Sequence, residues 1–457
     1  MALDPTPAPP SPTPLNWRKL VWAVLLVVLS PLGLVYLIAR LAKGKSLRGF
    51  AERLGVLPAT LAQLHASGEP VVWIHAVSAG EVAAMEPIIR ELRLAEPHLR
   101  IALSTITATG RHMAERPSLE VDAVFFFPLD FPGIVEHVLD VVRPDLIVVA
   151  ETELWPYLAA TAAERGIPLT HVNARLSDRS FGTYRAARLF TSWVLGNIRL
   201  ICAQSELDRE RFVAVGADPA RVEVLGNSKF DEDFPEVPPE EAAKWRQDLG
   251  FDQDQPVLLA ASTHPGEEEK VLQVYHSLRD QFPQLGLLLA PRHPERGDAV
   301  AKLIGEFGYA CLRRSRTREA DEAGPATPDA RVQVALLDTI GELSRVYSIA
   351  DVVFMGGSLV PVGGHNFLQP MALGKPVIFG PHMNNSRDLT ELVLREGAAM
   401  SVRTEEELAT AVTELLQSEG QRDLLSVRAR ALLQRNSGAA RATVQRLLPL
   451  LNRHARA

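Results

Sequence analysis

The stretch VVWIHAVSAGEVAAMEPIIRELRLA, residues 71–95, decides the fold that the sequence predicts. It opens with an unbroken apolar run, which is typical of a strand buried on both faces of a sheet. A turn through Ser78, Ala79 and Gly80 follows, and a helical pattern begins with Glu81 in its first turn. Glu81 has two interpretations at this stage: it complements the positive end of the helix, or it is a catalytic base at the end of a strand.

The same alternation of apolar runs and helical patterns continues along the chain. Such runs, separated by helices, predict parallel sheets covered by helices on both faces. The sequence therefore predicts an α/β protein with two doubly wound domains facing a cleft. The predicted strands of the first domain are VVWIHAV, IALSTIT, DLIVVA, LTHVNA, LICAQS and VEVLG. Those of the second domain are PVLLAAST, LGLLLAPRH, YACLRR, VQVALLD, DVVFMGGS and PVIFG. The segment TGRHMAE, after IALSTIT, is predicted as a turn.

Composition supports a folded protein and narrows the class of function. Of the 457 residues 47% are hydrophobic, and the formal net charge is −7. No basic helix with interleaved aromatic residues is present, so the sequence argues against a nucleic-acid partner. The two cysteines, Cys202 and Cys311, lie far apart and predict no disulfide framework or zinc knuckle.

The N-terminal region contains an uncharged apolar run of 20 residues, 20–39, which is long enough to cross a bilayer. A membrane anchor, a cleaved signal peptide and a buried core helix are the three interpretations. The run continues into five basic residues rather than a small-residue cleavage site, which favours the anchor. Because positive charge collects on the cytoplasmic side, the large C-terminal part is predicted to be cytoplasmic, with the basic residues near anionic headgroups.

The domain prediction follows from these patterns and from an acid- and proline-rich interruption, after which the alternation resumes. Residues 315–330 are predicted as a surface loop. The predicted segments are a disordered leader at 1–19, a transmembrane anchor at 20–39, an N-terminal acceptor-binding domain at 40–228, a linker at 229–254, a C-terminal nucleotide-binding domain at 255–430, and a C-terminal helix at 431–457 that packs back towards the N-terminal domain.

Polar and glycine residues crowd the ends of the predicted strands, where open α/β sheets bind ligands. Eight motifs there occur in a fixed order behind the apolar segment: SAGEV, ETELWP, NARLSDRSF, GNSKFD, STHPGEEE, PRHPER, GGHN and GPHMNN. Together they resemble the family of 3-deoxy-D-manno-octulosonic acid (Kdo) transferases, which are membrane-anchored GT-B glycosyltransferases. The resemblance covers essentially the whole chain from residue 20 onward.

This resemblance implies a function and a fold. The fold would be GT-B, with two Rossmann-like domains behind an N-terminal transmembrane helix. The enzyme would move Kdo from CMP-Kdo to a hydroxyl of the lipid A precursor, lipid IVA, with inversion of the anomeric centre. The reaction belongs to lipopolysaccharide core biosynthesis and would take place at the cytoplasmic face of the inner membrane, beside membrane lipid. No cofactor and no metal is implied.

The resemblance also assigns roles to individual residues. Glu81 matches the base that takes the proton of the acceptor hydroxyl. Its place at a helix start is expected to lower its pKa, so that the surrounding cleft must restore its basicity. Lys229 and Glu151 match positions associated with transition-state stabilisation. From the residues alone, Glu151 could instead cap a helix or orient Lys229 or Arg175, and Lys229 could form a linker salt bridge with Asp231 or Asp233, in an acidic run interpreted as a solvated face.

The nucleotide contacts are carried over in the same way. Gly356, Gly357, Gly363 and Gly364 are expected to let backbone amides approach an anion. The chain departs from the family pattern at Gln369, where the family usually has Glu, and this predicts weaker contact with the ribose. The CMP-binding residues implied are Arg292, His293, Ile340, Gly341, Glu342, Asn366, Phe367, Leu368 and Gln369.

Three histidines, His264, His293 and His365, raise the question of a metal site. Their spacing fits no compact zinc motif, and no paired aspartates stand at a strand end, so metal-independent chemistry is predicted. The alternative functions are another nucleotide-sugar GT-B transferase acting on a lipid carrier, such as a UDP-sugar transferase, a nucleotide-sugar epimerase, or an inactive membrane-tethered protein that binds sugar nucleotides.

Overall fold

The computed structural model of the protein describes residues 17–26, 28, 49–66, 68–234, 236–316 and 333–451. The chain divides into two compact units: unit 1 comprises Met1–Glu232 and Asn436–Ala457, and unit 2 comprises Asp233–Arg435. Most of the predicted leader at 1–19, of the predicted span at 20–39 and of the predicted loop at 315–330 lies outside the described residues. Among the helices that are described, none has the length and apolarity needed to cross a membrane.

Unit 1 is built on a parallel seven-stranded sheet with the strand order β3-β2-β1-β4-β5-β6-β7. Strands β1 and β4 are buried along their whole length, as expected for a sheet covered on both faces. The strands are β1 Val71–His75, β2 Arg100–Thr105, β3 Ala123–Phe126, β4 Leu146–Ala150, β5 Leu169–Ala174, β6 Leu200–Ala203 and β7 Val222–Val224.

Helices cover this sheet, and a helical segment at 17–26 precedes it. Apolar clusters fill both faces: one contains Trp73 and Phe125, the other Ile74 and Met85. The helices of this part are α1 Phe50–Arg53, α2 Ala59–Gln63, α3 Ala79–Ala95, α4 Ala108–Ala114, α5 Ile134–Val142, α6 Pro156–Glu164, α7 Asp178–Ala186, α8 Arg188–Leu195 and α9 Glu206–Ala214.

Unit 2 repeats the architecture with a second parallel sheet in the order β10-β11-β9-β8-β12-β13-β14. Its strands are β8 Val257–Thr263, β9 Gly286–Pro291, β10 Cys311–Arg313, β11 Val334–Leu336, β12 Val352–Met355, β13 Val377–Phe379 and β14 Met400–Ser401. Its helices are α10 Pro239–Asp248, α11 Glu267–Leu278, α12 Gly297–Glu306, α13 Leu343–Val346, α14 Leu368–Ala372, α15 Arg387–Arg395, α16 Glu405–Gln417 and α17 Glu419–Asn436.

The last described helix, α18 Ala439–Leu451, belongs to unit 1 and packs on α3 and on the turn at Ser228–Asp231. Ala440, Val444, Leu447 and Leu451 on one side of α18 join the apolar cluster that contains Ile74 and Met85. Their spacing of three or four residues places them on one stripe of the helix, which explains why that stripe is buried.

The strand order locates the ligand-binding edge of each sheet. In unit 1 the order reverses between β1 and β4, and in unit 2 it reverses between β8 and β12. Crossover connections leave opposite faces of the sheet at such a point, so a crevice opens beyond the carboxyl ends of those two strands. The residues that follow β1 and β4, and those that follow β8 and β12, are therefore the first to examine.

The α/β fold with two parallel sheets confirms the prediction, while three local elements differ, among them the two-residue edge strand β14, which was not predicted. TGRHMAE is not a turn, because Ala108–Ala114 is helical and Thr107 accepts the Gly110 N–H as its N-cap. The edge strand β3 was not among the predicted strands. Its four residues precede Phe127 and Pro128, and so short a run carries little periodic signal.

Candidate active site

Glu81 lies in the first turn of α3, directly beyond the end of β1. Ser78 is the N-cap residue, and its Oγ accepts the N–H of Glu81 at 3.4 Å. The Glu81 carboxylate folds back over the same turn, since Oε2 accepts the Val77 N–H at 2.8 Å and Oε1 accepts the Ser78 hydroxyl at 3.2 Å. Glu81 therefore does complete the helix N-terminus, as one of the two interpretations predicted.

The electrostatic surroundings of Glu81 overturn the expected direction of its pKa shift. Burial raises the pKa of Glu81 to about 7, and the negative charges of Glu151 and Glu153 push it in the same direction. The hydrogen bonds from Val77 and Ser78 lower it, but by less. A carboxylate of this kind is a stronger base than an ordinary glutamate and is substantially ionised near neutral pH.

Glu151 and Lys229 come together beside this carboxylate. Glu151 follows β4 directly and has a left-handed backbone conformation with φ of 52°, which a non-glycine residue adopts at some cost. Lys229 Nζ lies 3.5 Å from Glu151 Oε1, and both side chains are largely buried. Of the partners considered from sequence, Glu151 thus pairs with Lys229, and the described contacts show no salt bridge from Lys229 to Asp231 or Asp233.

Lys229 stands on a short 3-10 turn, Ser228–Asp231, that leaves the end of the sheet. The Asn227 side chain caps this turn by accepting the Lys229 N–H at 3.0 Å. Asp231 is not part of a solvated face, as the sequence suggested. Its carboxylate instead accepts the backbone N–H groups of Gly438 and Ala440 at the start of α18.

Two further residues at this edge were not singled out as site residues by the sequence analysis. Burial, with a contribution from Glu151, raises the pKa of Glu153, which makes it a third carboxyl group near Glu81. Asn173, the penultimate residue of β5, has φ of 50° and is buried, and its Nδ2 has no hydrogen-bond partner in the part of the chain that is described. Strained backbone at strand ends is a common mark of functional sites, but a sequence does not display it.

In unit 2 the corresponding carboxylate belongs to Glu267, the first residue of α11. Glu267 is fully buried, and its Oε2 accepts the N–H groups of His264 at 3.0 Å and Gly357 at 2.6 Å. Its Oε1 accepts those of Ser358 and Leu359, both at 2.9 Å. The carboxylate thus joins the turn after β8 to the turn after β12.

This arrangement corrects the expected role of the glycine-rich loop. The N–H of Gly357 is bonded to Glu267, that of Gly356 to the Ala261 carbonyl, and those of Gly363 and Gly364 to the Gly357 carbonyl. None of these four amides is left over for an external anion. Glycine is required at 364 for packing, because a Cβ there would lie 2.2 Å from the sulfur of Met383.

A group of cationic and titratable side chains lies beside this loop. His264 and His365 stack with ring centroids 5.0 Å apart and share a 2.8 Å contact between their Nε2 atoms, and His293 lies edge-on to His264 at 5.8 Å. Burial lowers the pKa of His365 to about 4, with smaller contributions in the same direction from His264 and Arg292. Arg292 is exposed, and its guanidinium makes no hydrogen bond within the described part of unit 2.

The arrangement of Arg292 and the three histidines suits an anion. A phosphate would accept hydrogen bonds from the arginine and the imidazoles and would offset the lowered pKa of His264 and His365. From the sequence, His264 and His365 raised only the question of a metal site. No group of three or more His, Cys, Asp or Glu residues suited to a metal ion occurs among the residues that the structure describes.

The remaining predicted nucleotide contacts differ in what their side chains offer. The side chains of Phe367 and Leu368 are buried in the core, so only their backbone could contact a ligand. The side chain of Asn366 caps the Leu368 N–H at 2.9 Å, and Gln369 is partly exposed in α14.

The other segment of the predicted CMP site follows β11. Ile340 is 84% exposed, and Gly341 has φ of 87° with open space where a Cβ would stand. Glu342 accepts the Thr339 hydroxyl and pairs with Arg314 at 3.2 Å. Ile340 and Gly341 therefore leave their surface open, whereas Glu342 already has protein partners.

Comparison with known proteins identifies the relatives of this chain. A family model described as 3-Deoxy-D-manno-octulosonic-acid transferase (kdotransferase) matches residues 48–232. The 3-deoxy-D-manno-octulosonic acid transferase of Haemophilus influenzae is 36% identical over 384 residues, which cover 84% of this chain and 88% of that protein. The protein of the same name from Bordetella pertussis is 33% identical over 82% of this chain and 86% of its own length.

Solved structures show the same fold at low identity. The UDP-GlcNAc 2-epimerase of Neisseria meningitidis, bound to UDP-GlcNAc, superposes with a TM-score of 0.55 at 14% identity. The match covers 83% of this chain and all of that one. It supports the two-domain GT-B-like α/β architecture and nothing about the reaction.

Proposed function

Because this chain belongs to the family of 3-deoxy-D-manno-octulosonic acid (Kdo) transferases, we propose that it moves Kdo from CMP-Kdo to a hydroxyl of the lipid A precursor, lipid IVA, with inversion. The observation that carries the assignment to a site is the carboxylate of Glu81, which is partly buried at the switch point of unit 1 and has its pKa raised to about 7. Unit 1 supplies the base, and unit 2 supplies the contacts to the nucleotide.

In the proposed reaction Glu81 acts on the acceptor. Its carboxylate takes the proton of the acceptor hydroxyl while the hydroxyl oxygen forms a bond to the anomeric carbon of Kdo. The bond from that carbon to the phosphate oxygen breaks, and CMP leaves with the electron pair. An alcohol is a poor nucleophile until its proton is being removed, so a base whose pKa lies near the working pH fits the task.

Lys229 and Glu151 are proposed to stabilise the charges that develop in this step. The Lys229 ammonium, held 3.5 Å from Glu151, suits the negative charge that grows on the departing phosphate. The Glu151 carboxylate fixes the ammonium and also raises the pKa of Glu81. One ion pair thus serves both the leaving group and the base.

Nucleotide binding is assigned to the exposed and basic edge of unit 2. Arg292 and His293 are proposed to hold the phosphate together with His264 and His365, and the segments 340–342 and 366–369 are proposed to contact the rest of CMP. A bidentate guanidinium suits a phosphate without a metal ion. Gln369 offers the ribose a neutral carbonyl oxygen, whose hydrogen bond is weaker than that of a carboxylate.

A membrane location is part of the same proposal. The apolar run at 20–39 would span the inner membrane once, and the basic residues after it would keep both units on the cytoplasmic side. This arrangement would place the enzyme beside membrane lipid, where the lipid A precursor resides.

The test is a transfer assay with CMP-Kdo and lipid IVA, with the products weighed by mass spectrometry. Glu81→Ala is expected to lower the rate by about 10²–10⁴-fold while CMP binding stays within about twofold, because the base is removed and unit 2 is untouched. The matched control is Glu86→Ala, on the same helix, whose side chain is 40% exposed and lies 3.8 Å from Arg116. Full transfer by Glu81→Ala would remove Glu81 as the base, and no Kdo transfer by the wild type would refute the function.

A further inference from the structure

The turn that carries Lys229 is bonded to its surroundings at nearly every residue. The Ser228 N–H donates to Asn173 Oδ1 at 3.1 Å, and the Ser228 hydroxyl donates to the Ala84 carbonyl of α3 at 2.7 Å. Ala84 is next to Ala83, whose carbonyl receives no N–H from Pro87 four residues later. The helix that begins near Glu81 therefore contacts the turn of Lys229 where its own hydrogen-bond ladder is interrupted.

Side-chain amides hold the other side of the turn. Asn227 Oδ1 accepts the Lys229 N–H at 3.0 Å, and Asn227 Nδ2 donates to Gln204 Oε1, also at 3.0 Å. Gln204 Nε2 in turn donates to the Asn173 carbonyl at 2.9 Å. Asn173, Gln204 and Asn227 form a chain of bonds that returns to the turn through Ser228.

Asp231 provides the last connection, and it links distant parts of the sequence. Its carboxylate accepts the Gly438 N–H on one oxygen and the Ala440 N–H, at 2.7 Å, on the other. These N–H groups stand at the positive end of α18, where a carboxylate is favoured electrostatically. The Asp231 carbonyl also accepts Arg90 Nη2 of α3 at 2.8 Å.

We propose that Asp231 is a positioning residue for the transfer reaction and that it acts through Lys229. The proposal rests on the proposed function. The lysine side chain is long, so its ammonium can stay beside Glu151 only if the backbone of the turn is fixed. Asp231 ends the turn two residues after Lys229 and fastens it to the start of α18, so its loss frees one end of the turn. Small misplacements of catalytic groups cause large losses of rate.

The alternative is a purely structural role, in which Asp231 only caps helix α18. A cap of this kind would change the thermal stability of unit 1 and leave the turnover of the folded enzyme unchanged. The two roles separate in kcat, in the dependence on Lys229 and in the pH profile, each measured at a temperature at which circular dichroism shows every variant to be folded.

The experiment compares Asp231→Ala with Asp233→Ala in the full chain. Asp233 is a matched control because it is exposed, two residues away, and forms no hydrogen bond or ion pair with the described residues. Asp231→Ala is expected to lower kcat by about 10–100-fold with KM for CMP-Kdo within about twofold, and Asp233→Ala to match the wild type. In a Lys229→Ala background the same Asp231→Ala change is expected to cause less than a twofold further loss, because the lysine through which it acts is gone.

A second readout covers the case in which Lys229→Ala is too slow to measure. When Lys229 moves away, the negative charge of Glu151 is less compensated, and Glu81 also faces the charge of Glu153. The pKa of Glu81 should then rise, so the acid limb of the pH profile of kcat is expected to move to higher pH in Asp231→Ala. An unchanged kcat in Asp231→Ala, an independent loss in the Lys229→Ala background, or an unmoved acid limb with reduced kcat would each overturn the proposal. Wild-type enzyme that transfers no Kdo would instead refute the proposed function itself.

Discussion

The two switch points of the molecule place a glutamate at the same topological position and surround it in opposite ways. In unit 1 Glu81 follows β1, and the neighbouring strand β4 is followed by the carboxylate of Glu151. In unit 2 Glu267 follows β8, and the neighbouring strand β12 is followed by Gly357 and Ser358, whose N–H groups point at Glu267. The carboxylate of Glu81 therefore has another carboxylate as its neighbour, whereas the carboxylate of Glu267 accepts hydrogen bonds from backbone N–H groups.

This difference decides what each glutamate can do. Glu267 has four backbone N–H groups bound to its two oxygens, so its carboxylate is fixed in place and holds two turns together. Glu81 accepts from only one backbone N–H and one hydroxyl, and burial together with the negative charge of Glu151 raises its pKa to about 7. A carboxylate at a helix start is therefore structural or basic according to the donors and charges around it, and not according to its position.

The largest expected effect is a loss of stability in Glu267→Gln. The amide keeps one acceptor oxygen but turns an NH2 group towards two backbone N–H donors, which are then buried without a partner. The free energy of unfolding should fall by about 3 kcal/mol or more, measured by urea denaturation of the purified protein. Glu269→Gln, an exposed carboxylate in the same helical turn, is the matched control. A loss no larger than that of the control would contradict the structural role of Glu267.

Glu81→Gln, in contrast, is expected to raise the free energy of unfolding at high pH. Glu81 binds its proton more tightly in the folded protein, with a pKa of about 7, than the ordinary value of 4.5. That proton stabilises the fold fully below pH 4.5, and the stabilisation is lost as the pH rises through 7. At pH 8 the wild type holds a buried charge that the glutamine lacks, so Glu81→Gln should be more stable by about 1–3 kcal/mol while transfer is lost.

Denaturation curves at pH 4 and pH 8 test this directly. The difference between Glu81→Gln and the wild type should grow with pH between these values, and Glu86→Gln should show no such trend. A variant equally destabilised at both values would mean that Glu81 serves only as a helix cap, as Glu267 serves only its two turns.

The sequence predicted the strands that lead to both switch points but not the surroundings that separate the two glutamates. The helix start at Glu81 was visible in the sequence, and it suggested a lowered pKa for Glu81. The burial of Glu81 and the nearby charge of Glu151, 70 positions later, were not visible in the sequence. The glycines after β12 suggested an anion site for the same reason. The partner of the Gly357 N–H is Glu267, 90 residues earlier, and local patterns do not report such distant contacts.

The acidic run at 231–233 is a second case in which the local sequence does not report a distant contact. Asp231 and Asp233 look alike in the sequence, and both suggested a solvated linker. The chain returns to unit 1 only after about two hundred residues, and there Gly438 and Ala440 bond to Asp231. Motifs that carry chemistry at strand ends could be read locally, whereas the groups that set their pKa and their position depend on the closed fold.

The smallest expected effect tests whether Glu151 is what makes Glu81 differ from Glu267. Glu151→Gln removes the negative charge that raises the pKa of Glu81 and leaves its burial and its two hydrogen bonds in place. The acid limb of kcat/KM should therefore move to lower pH by less than about 1 unit, whatever happens to the plateau rate when Lys229 loses its partner. Glu153→Gln, which removes a weaker neighbouring charge, should move the limb less far. A limb that stays near pH 7 in both variants would mean that the smaller number of hydrogen-bond donors, and not the charge of Glu151, distinguishes Glu81 from Glu267.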